Sequence, residues 1–288
     1  MSGARAPRAA RHWLALARRR WRPVLAAAVL AQGAAAGAQP PDSVFLEDLT
    51  WTELRDAVAA GKTIAIVPIG GTEQSGPAIA LGKHNERVKF LSERIARELG
   101  NAIVAPVIAY VPEGRLDPPS SHMRFPGTIT IPDETFEKTL EYAARSLRAH
   151  GFRDIVLLGD HGGYRQLLKP VADRLNREWA SGPTRVLALQ EYVVASGEGF
   201  ARLLRDRGFG DDEIGTHAAL ADTSLMLAID PHAVRPDLLA SGTPLGAAQG
   251  VYGGDPRRAS AQLGAIGVEN IVSASVAAIR SHLARPAH

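Results

Sequence analysis

The chain has 288 residues, of which 45% are hydrophobic and 22% are charged, as in an ordinary globular protein. This composition excludes a disordered or fibrous protein. Seven of the 33 basic residues lie in the first 38 residues, which hold no acidic residue, so the rest of the chain has 26 basic and 30 acidic residues and a formal charge of −4. That part shows no clustered basic face, so we expect no nucleic-acid partner.

The N-terminal segment is typical of an export signal. Its arginines precede the short apolar run Val24 to Ala31 and the small-residue stretch Ala36-Gly37-Ala38. We predict a signal peptide over residues 1–38, cleaved before Gln39, and a periplasmic or secreted protein with no membrane partner after cleavage. An uncleaved membrane anchor is the alternative, and Arg19-Arg20-Trp21 leaves a twin-arginine signal open.

Apolar runs rich in β-branched residues alternate with amphipathic stretches along residues 39–288. The runs predict strands at Thr63–Ile69, Ala102–Ile108, Asp154–Leu158 and Thr184–Leu189. The amphipathic stretches predict helices at Asn85–Leu99, Asp133–His150 and Tyr164–Trp179, a helix starting near His217 and a final helix over Arg257–Leu283. This alternation favours one α/β domain with a mainly parallel sheet covered on both faces.

Three polar, glycine-containing stretches follow predicted strands or open a helix, at residues 70–88, 159–163 and 215–224. The first is too rich in Gly and Pro to be predicted as a helix. In open α/β sheets, ligands bind where the carboxyl ends of the strands meet their loops. We therefore expect candidate ligands from the three stretches to converge: Glu73, His84, His161 and Asp222.

These four side chains suit a divalent metal, since a chain with no cysteine must build a metal site from imidazoles and carboxylates. Each also has a structural interpretation. Glu73 can brace a turn, His84 can cap the next helix and Asp222 can lie on a solvated helix face. His161 stands between Asp160 and two glycines at a strand end, a position that favours a site over packing.

The three stretches resemble motifs of the creatininase (creatinine amidohydrolase) family. The family motif G-S-x-E-Q-H-G-P-H-L-P-L-G-T-D corresponds to G-G-T-E-Q-S-G-P-A-I-A-L-G-K-H in this chain. The family motif N-G-H-G-G-N corresponds to G-D-H-G-G-Y here, and the family motif H-A-G-x-x-E-T-S corresponds to H-A-A-L-A-D-T-S. The segments HMRFPGTITI and GVYGGDPRRASAQLG resemble two further family motifs. The resemblance extends in unbroken order from Phe45 to Arg280.

This resemblance implies a three-layer α/β/α sandwich, often a hexamer, that hydrolyses an amide with a two-metal centre. Glu73 and His161 match ligands of the first metal, and Asp222 stands where the family has Glu near the second. His217 matches a catalytic histidine. Two positions depart from the family: Ser75 replaces a histidine, and His84 replaces an aspartate that bridges the metals.

Because a neutral imidazole has one free lone pair, His84 cannot bridge two ions as a carboxylate does. We therefore expect one ion per chain, zinc or manganese, on Glu73, His84 and His161, with water in an open position. Asp222 is expected as a fourth ligand or as the base that orients the water, and His217 as the proton donor. Lys83 is expected to point outward. A two-metal site, with water or Asp160 in place of Ser75, stays open.

The substrate is the least defined part of the prediction. His122, Arg124 and Tyr252 border the matching motifs and are candidates for the pocket rim. We expect a small, cyclic amide and a homo-oligomeric metal-dependent amidohydrolase. The alternatives are a periplasmic small-molecule binding protein without catalysis and a serine hydrolase, although no G-x-S-x-G motif surrounds a serine.

Overall fold

The computed structural model describes residues 42–242 and 245–284. The predicted signal peptide lies outside the described residues. The helices are α1 (Trp51–Ala59), α2 (Lys83–Leu99), α3 (Asp133–Ala149), α4 (Arg165–Glu178), α5 (Gln190–Val194), α6 (Phe200–Arg205), α7 (Asp211–Ile214), α8 (Leu220–Ile229), α9 (Pro236–Ala240) and α10 (Ala261–Leu283). The strands are β1 (Ile64–Ile69), β2 (Ala102–Val104), β3 (Asp154–Gly159), β4 (Arg185–Ala188), β5 (Gly215–His217) and β6 (Tyr252–Gly254).

Four of the strands form a parallel sheet in the order β2-β1-β3-β4. Ile64 of β1 is paired with Ala102 on one side and with Asp154 on the other, and Asp154 is paired with Arg185 of β4. The other two strands, β5 and β6, form a small antiparallel pair. All six residues of β1 are buried, as expected for a central strand covered on both faces.

Successive residues of the strands pack into two different hydrophobic cores. Ile64 and Ile66 of β1 face the core that contains residues of α2, α8 and α10. Ala65 and Val67 face the opposite core, which contains residues of α3 and α4. This alternation follows from the two-residue period of a strand. The result is a three-layer α/β/α sandwich, which confirms the predicted fold class.

The boundaries differ from the sequence prediction at several elements. The strand predicted over Ala102–Ile108 ends at Val104, and Ile108 only forms an isolated bridge to Ile69. The helix predicted from Asn85 begins two residues earlier, at Lys83, so the end of the 70–88 stretch is helical. The later helices, α8 and α10, begin three and four residues after the predicted starts.

Among the described residues, one helix is long and apolar enough to cross a membrane by length and composition, and this is α10. Its buried side includes Val268, Ile271, Val272 and Ile279, which belong to the first core. Gly264 and Gly267 of α10 lie against α8, and the packing of a core helix explains the apolar composition.

Candidate active site

The carboxyl ends of β1 and β3 are neighbours and open onto one polar cluster. The loop after β1 carries Glu73, and the loop after β3 carries Asp160 and His161. The two loops are joined by the buried Tyr164, whose hydroxyl contacts Ile69 O at 2.6 Å and Gly70 O at 2.8 Å. The first turn of α2 then adds His84 to the cluster.

Glu73 lies at the centre of this cluster and is fully buried. Its Oε1 is 2.7 Å from His84 Nε2 and 3.6 Å from His217 Nδ1. Its Oε2 is 3.2 Å from the Nε2 atoms of both His122 and His161. Four imidazoles from four separate segments therefore face a single carboxylate.

Two overlapping groups of ligand atoms, each within 4.8 Å of one another, are found among the described residues. One is Glu73, His84 and His161, the set predicted from the sequence, and the other is Glu73, His122 and His217. Asp222 belongs to neither group. The structure thus brings together three of the four predicted ligands and adds two imidazoles.

His84 is held between two carboxylates. Its Nδ1 lies 2.6 Å from Asp160 Oδ2, while its Nε2 faces Glu73. Carboxylates only accept hydrogen bonds, so each ring nitrogen needs either a proton or, at Nε2, a cation. A carboxylate on the far nitrogen is the usual support of a metal-binding histidine.

His217 has a comparable support. Its Nε2 lies 2.9 Å from the carbonyl oxygen of Gln74, which can only accept, and 3.1 Å from the side-chain amide nitrogen of Gln74, which can donate to His122 Nδ1 instead. We assign the proton to Nε2, which satisfies the carbonyl and leaves Nδ1 free toward Glu73. His161 differs, because the Gly163 N–H donates to its Nδ1 at 3.2 Å. Ligation through Nε2 of His161 therefore requires the ring proton to leave that atom.

Asp160, predicted from the sequence as a ligand only in the two-metal alternative, organises the wall behind His84. Arg87 Nε donates to Asp160 Oδ2 at 2.8 Å, and the buried Tyr192 hydroxyl donates to Oδ1. Although burial opposes ionisation, Arg87 and His84 lower the pKa of Asp160. Asp160 is therefore an anion that orients its neighbours.

The prediction that Lys83 points outward is wrong. Lys83 is 1% exposed, and its Nζ donates to Asp222 Oδ2 at 2.8 Å and lies 3.4 Å from Glu73 Oε1. An ammonium is costly to bury unless carboxylates accompany it. These two carboxylates provide that pairing. The signal in the sequence was the spacing of Lys83, His84 and Arg87, which places all three on one face of a helix.

Asp222 is occupied by hydrogen bonds from both sides. Its Oδ1 accepts from Arg87 Nη1 at 2.8 Å, and its Oδ2 accepts from Lys83 and from the Ala218 N–H at 2.9 Å. Burial opposes its ionisation, but Lys83 and Arg87 hold the pKa of Asp222 well below its usual value. Asp222 therefore forms ion pairs with both Lys83 and Arg87.

Glu113 lies beside Glu73 and was missed by the sequence analysis. It is 3% exposed, and its Oε2 is 3.5 Å from His161 Nε2. Neither carboxyl oxygen has a hydrogen-bond partner among the described residues. Burial raises the pKa of Glu113 to about 9, and the charge of Glu73 adds to the rise. Burial and the neighbouring carboxylate therefore favour the protonated form of Glu113. Its sequence context, Val-Pro-Glu-Gly, carries no recognisable motif.

The remaining predicted residues differ in position: some reach the cavity or the polar cluster, and one lies on the surface. Tyr252 lines the cavity, with its ring 5.4 Å from that of His217. His122 lies inside the cluster, where Gln74 Nε2 lies 3.0 Å from its Nδ1. Arg124 is exposed, and its Nε donates to the carbonyl of Ser121. Ser75 is buried, and its hydroxyl has no hydrogen-bond partner in the part of the chain that the structure describes.

Two cavities meet at the cluster. One, of about 550 Å³, is lined by Lys83, His84, His161, His217 and Tyr252 among others. The other, of about 590 Å³, is lined by Glu113, His122 and His161 among others. Both have space for a small organic molecule.

The donor atoms fit a divalent metal. Glu73 Oε2 is buried, and within residues 42–242 and 245–284 it has no partner with hydrogen-bond geometry, although two imidazole nitrogens lie 3.2 Å from it. Burial lowers the pKa values of His122 and His161, and burial with the charge of Lys83 lowers that of His217 to about 3. Neutral imidazoles beside an ionised carboxylate are ligands that zinc and manganese accept.

Comparison with known proteins agrees with this arrangement. A family model described as Creatininase, creatinine amidohydrolase, matches residues 47–279. A creatinine amidohydrolase of Pseudomonas putida is 28% identical over 70% of this chain and 78% of its own length. A 3-dehydro-scyllo-inosose hydrolase of Thermotoga maritima is 24% identical over 72% of this chain and 62% of its own length.

Solved structures give the same result. A crystal structure of creatinine amidohydrolase has a TM-score of 0.70 at 25% identity and covers 85% of this chain and 100% of its own. A structure named Creatininase Mn has a TM-score of 0.69 at 26% identity, over 84% and 100% of the two chains. A creatininase mutant of Zn-Zn type has a TM-score of 0.67 at 27% identity and covers 84% of this chain and 99% of its own.

The family model covers most of the chain, the relatives are hydrolases by name, and the structural neighbours share the sandwich. The protein is a divergent member of the creatininase family and an amidohydrolase.

Proposed function

We propose that this protein is a metal-dependent hydrolase that cleaves the C–N bond of a small, cyclic amide. The observation that carries the proposal is the buried carboxylate of Glu73, which has an unpartnered oxygen and faces four imidazoles. Glu73, His84 and His161 would hold the ion, and the names of the Mn and Zn structures support manganese or zinc. The name of the creatinine amidohydrolase relative supports the substrate class.

We further propose one ion per chain, on grounds of charge. Three ionised carboxylates, Glu73, Asp160 and Asp222, stand against the cations Lys83 and Arg87, which leaves one negative charge. A single divalent ion changes this to one positive charge. Two such ions would leave three positive charges in a buried cluster, which is strongly unfavourable.

A divalent ion, when bound, polarises the amide carbonyl and makes hydroxide available near neutral pH. The protein's own contribution to proton transfer is His217. Its Nε2 proton is held by the Gln74 carbonyl, so Nδ1 is the atom that can take a proton from the attacking water. Nδ1 then returns that proton to the nitrogen of the leaving amine. In the net reaction, the hydroxyl of the water is added to the carbonyl carbon and its proton to the leaving nitrogen.

Asp222 has no proton-transfer role in this mechanism. Both of its oxygens are already engaged by hydrogen bonds from Lys83, Arg87 and a backbone N–H. Tyr252 and His122 line the walls beside His217 and are in place to contact the substrate ring.

The test is elemental analysis combined with activity. Protein stripped of loose metal is assayed on a panel of cyclic and linear amides before chelation, after chelation and after addition of zinc or manganese. We expect activity on a cyclic amide, its loss on chelation and its return with the metal. Activity that survives complete metal removal would contradict the proposal. Insensitivity to a serine-directed phosphonate separates it from a serine hydrolase.

His161→Ala distinguishes an enzyme from a binding protein. In an enzyme, this change abolishes turnover, whereas in a binding protein only ligand affinity falls. The hydrolase names of the relatives support the enzyme.

We also propose that the protein is exported and that it forms an oligomer. The arginine-rich N-terminal segment supports a periplasmic or secreted enzyme, and the resemblance to creatininases supports a homo-oligomer, with six subunits as the expected number. Cell fractionation and light scattering of the purified protein test these two points.

A further inference from the structure

The buried ammonium of Lys83 is the unexpected charge of the cluster. Its side chain is fully enclosed, and it extends from the first turn of α2 toward Glu73 and Asp222. Ordinary surface lysines keep the charged group in water. This lysine gives up that hydration and contacts two carboxylates, the buried Glu73 and the partly buried Asp222, so the fold has a dedicated cation position at this point.

The carboxylate partner is fixed by the backbone. Ala218 adopts a φ of 54°, a left-handed conformation that a residue with a side chain seldom takes, and its N–H donates to Asp222 Oδ2. Arg87 holds the other oxygen, Oδ1. Asp222 is thus locked with Oδ2 facing Lys83.

The position is also next to the proposed metal ligands. Lys83 Nζ is 3.4 Å from the same Glu73 oxygen, Oε1, that lies 2.7 Å from His84 Nε2. Two carboxylates, Glu73 and Asp222, therefore flank one small volume, and carboxylate pairs of this kind attract divalent ions. The ammonium already fills the volume and supplies the positive charge.

We propose that Lys83 acts as a permanent internal cation, which occupies a place between Glu73 and Asp222 that would otherwise take a second divalent ion. The chain therefore holds one ion, and Asp222 is the counter-ion of Lys83 and not a metal ligand. This inference rests on the proposed metal-dependent function. In this role Lys83 is a positioning residue. Its contact with Glu73 limits the number of divalent ions that the cluster binds.

The test is metal content per chain, measured by elemental analysis after dialysis against zinc or manganese. Wild type is expected to hold one ion. Lys83→Ala removes the charge and opens space, so it is expected to hold two. Lys83→Met removes the charge but keeps most of the side-chain volume, so it is expected to hold one. Lys89→Ala, on the exposed side of the same helix, is the matched control and is expected to hold one.

The outcomes separate this inference from the proposed function. Wild type with no bound ion contradicts the metal centre, and the inference falls with it. Wild type with two ions overturns both this inference and the proposed count of one ion per chain, whereas Lys83→Ala with one ion overturns the inference alone. Either result leaves a metal-dependent enzyme. If Lys83→Ala does not fold, the test is a titration of wild type with excess metal. Uptake of a second tightly bound ion by wild type overturns the inference, and saturation at one ion supports the inference.

Discussion

Nδ1 of His84, in the first turn of α2, lies 2.6 Å from Oδ2 of Asp160, in the loop that follows β3. This contact places the His84 ring with Nε2 toward Glu73. Carboxylates behind metal-binding histidines orient the ring and raise its basicity. The arrangement predicts how each member of the cluster responds to substitution.

Asp160→Asn is expected to weaken metal binding about 10- to 100-fold, because His84 loses the charged acceptor that orients it. The dissociation constant, measured by competition with a coloured chelator, checks this. Asp173→Asn is the matched control, since Asp173 forms an exposed ion pair with Lys169 on α4. Equal affinities of the two variants would show that Asp160 does not support a metal ligand.

Glu73→Gln is expected to abolish stabilisation by metal. Wild type at a free metal concentration of 100 times the dissociation constant should gain about 2.7 kcal/mol, because the ion binds only the folded state. Thermal unfolding with and without zinc measures the gain. Glu86→Gln, at an exposed position of α2, should keep it. The prediction fails if the Glu73 variant is stabilised as much as wild type.

Tyr192→Phe is expected to lower the free energy of unfolding by about 1 to 3 kcal/mol, because a buried hydroxyl that donates to the Asp160 carboxylate is lost. Denaturant unfolding monitored by circular dichroism measures the loss. Tyr142, whose side chain is 63% exposed, is the control position. If Tyr192→Phe is no more destabilising than Tyr142→Phe, the hydrogen bond contributes nothing measurable.

Gly264→Ala is expected to destabilise the fold by about 1 to 3 kcal/mol or more through overpacking. A Cβ at Gly264 would lie 1.8 Å from the carbonyl oxygen of Ser224, so α10 and α8 must separate. At Gly197 the same substitution meets nothing within 4 Å and should be neutral or slightly stabilising. Equal unfolding midpoints for both variants would argue against close packing of α10 on α8.

The exposed pair of Arg145 and Glu178 predicts a pH dependence. Arg145 lowers the pKa of Glu178 to about 2 from a usual value of 4.5. A lowered folded-state pKa stabilises the fold above the unfolded value, and the contribution disappears as the pH falls from about 4.5 to about 2. The stability difference between wild type and Glu178→Gln should shrink over this range. A difference independent of pH would contradict the pairing.

Much of the fold was predictable because its determinants are local. The buried runs at β1 and β3 and the amphipathic stretches at α3 and α4 have the periods of strands and helices, and the structure has these elements within two residues of the predicted ends. The ends of β2, α8 and α10 were less accurate, since apolar loop residues such as Ile108 continue the pattern of a strand.

The sequence by itself determined the sandwich, the family and the segments that carry Glu73, His84 and His161, because hydrophobic period and motif spacing are properties of neighbouring residues. Only the tertiary structure decided that Lys83 turns inward, that Asp222 serves two cations and that Glu113 joins the cluster. Lys83 and Asp222 are 139 residues apart, and the direction of a charged side chain depends on where the fold puts its counter-charge. A one-dimensional pattern contains no such distance.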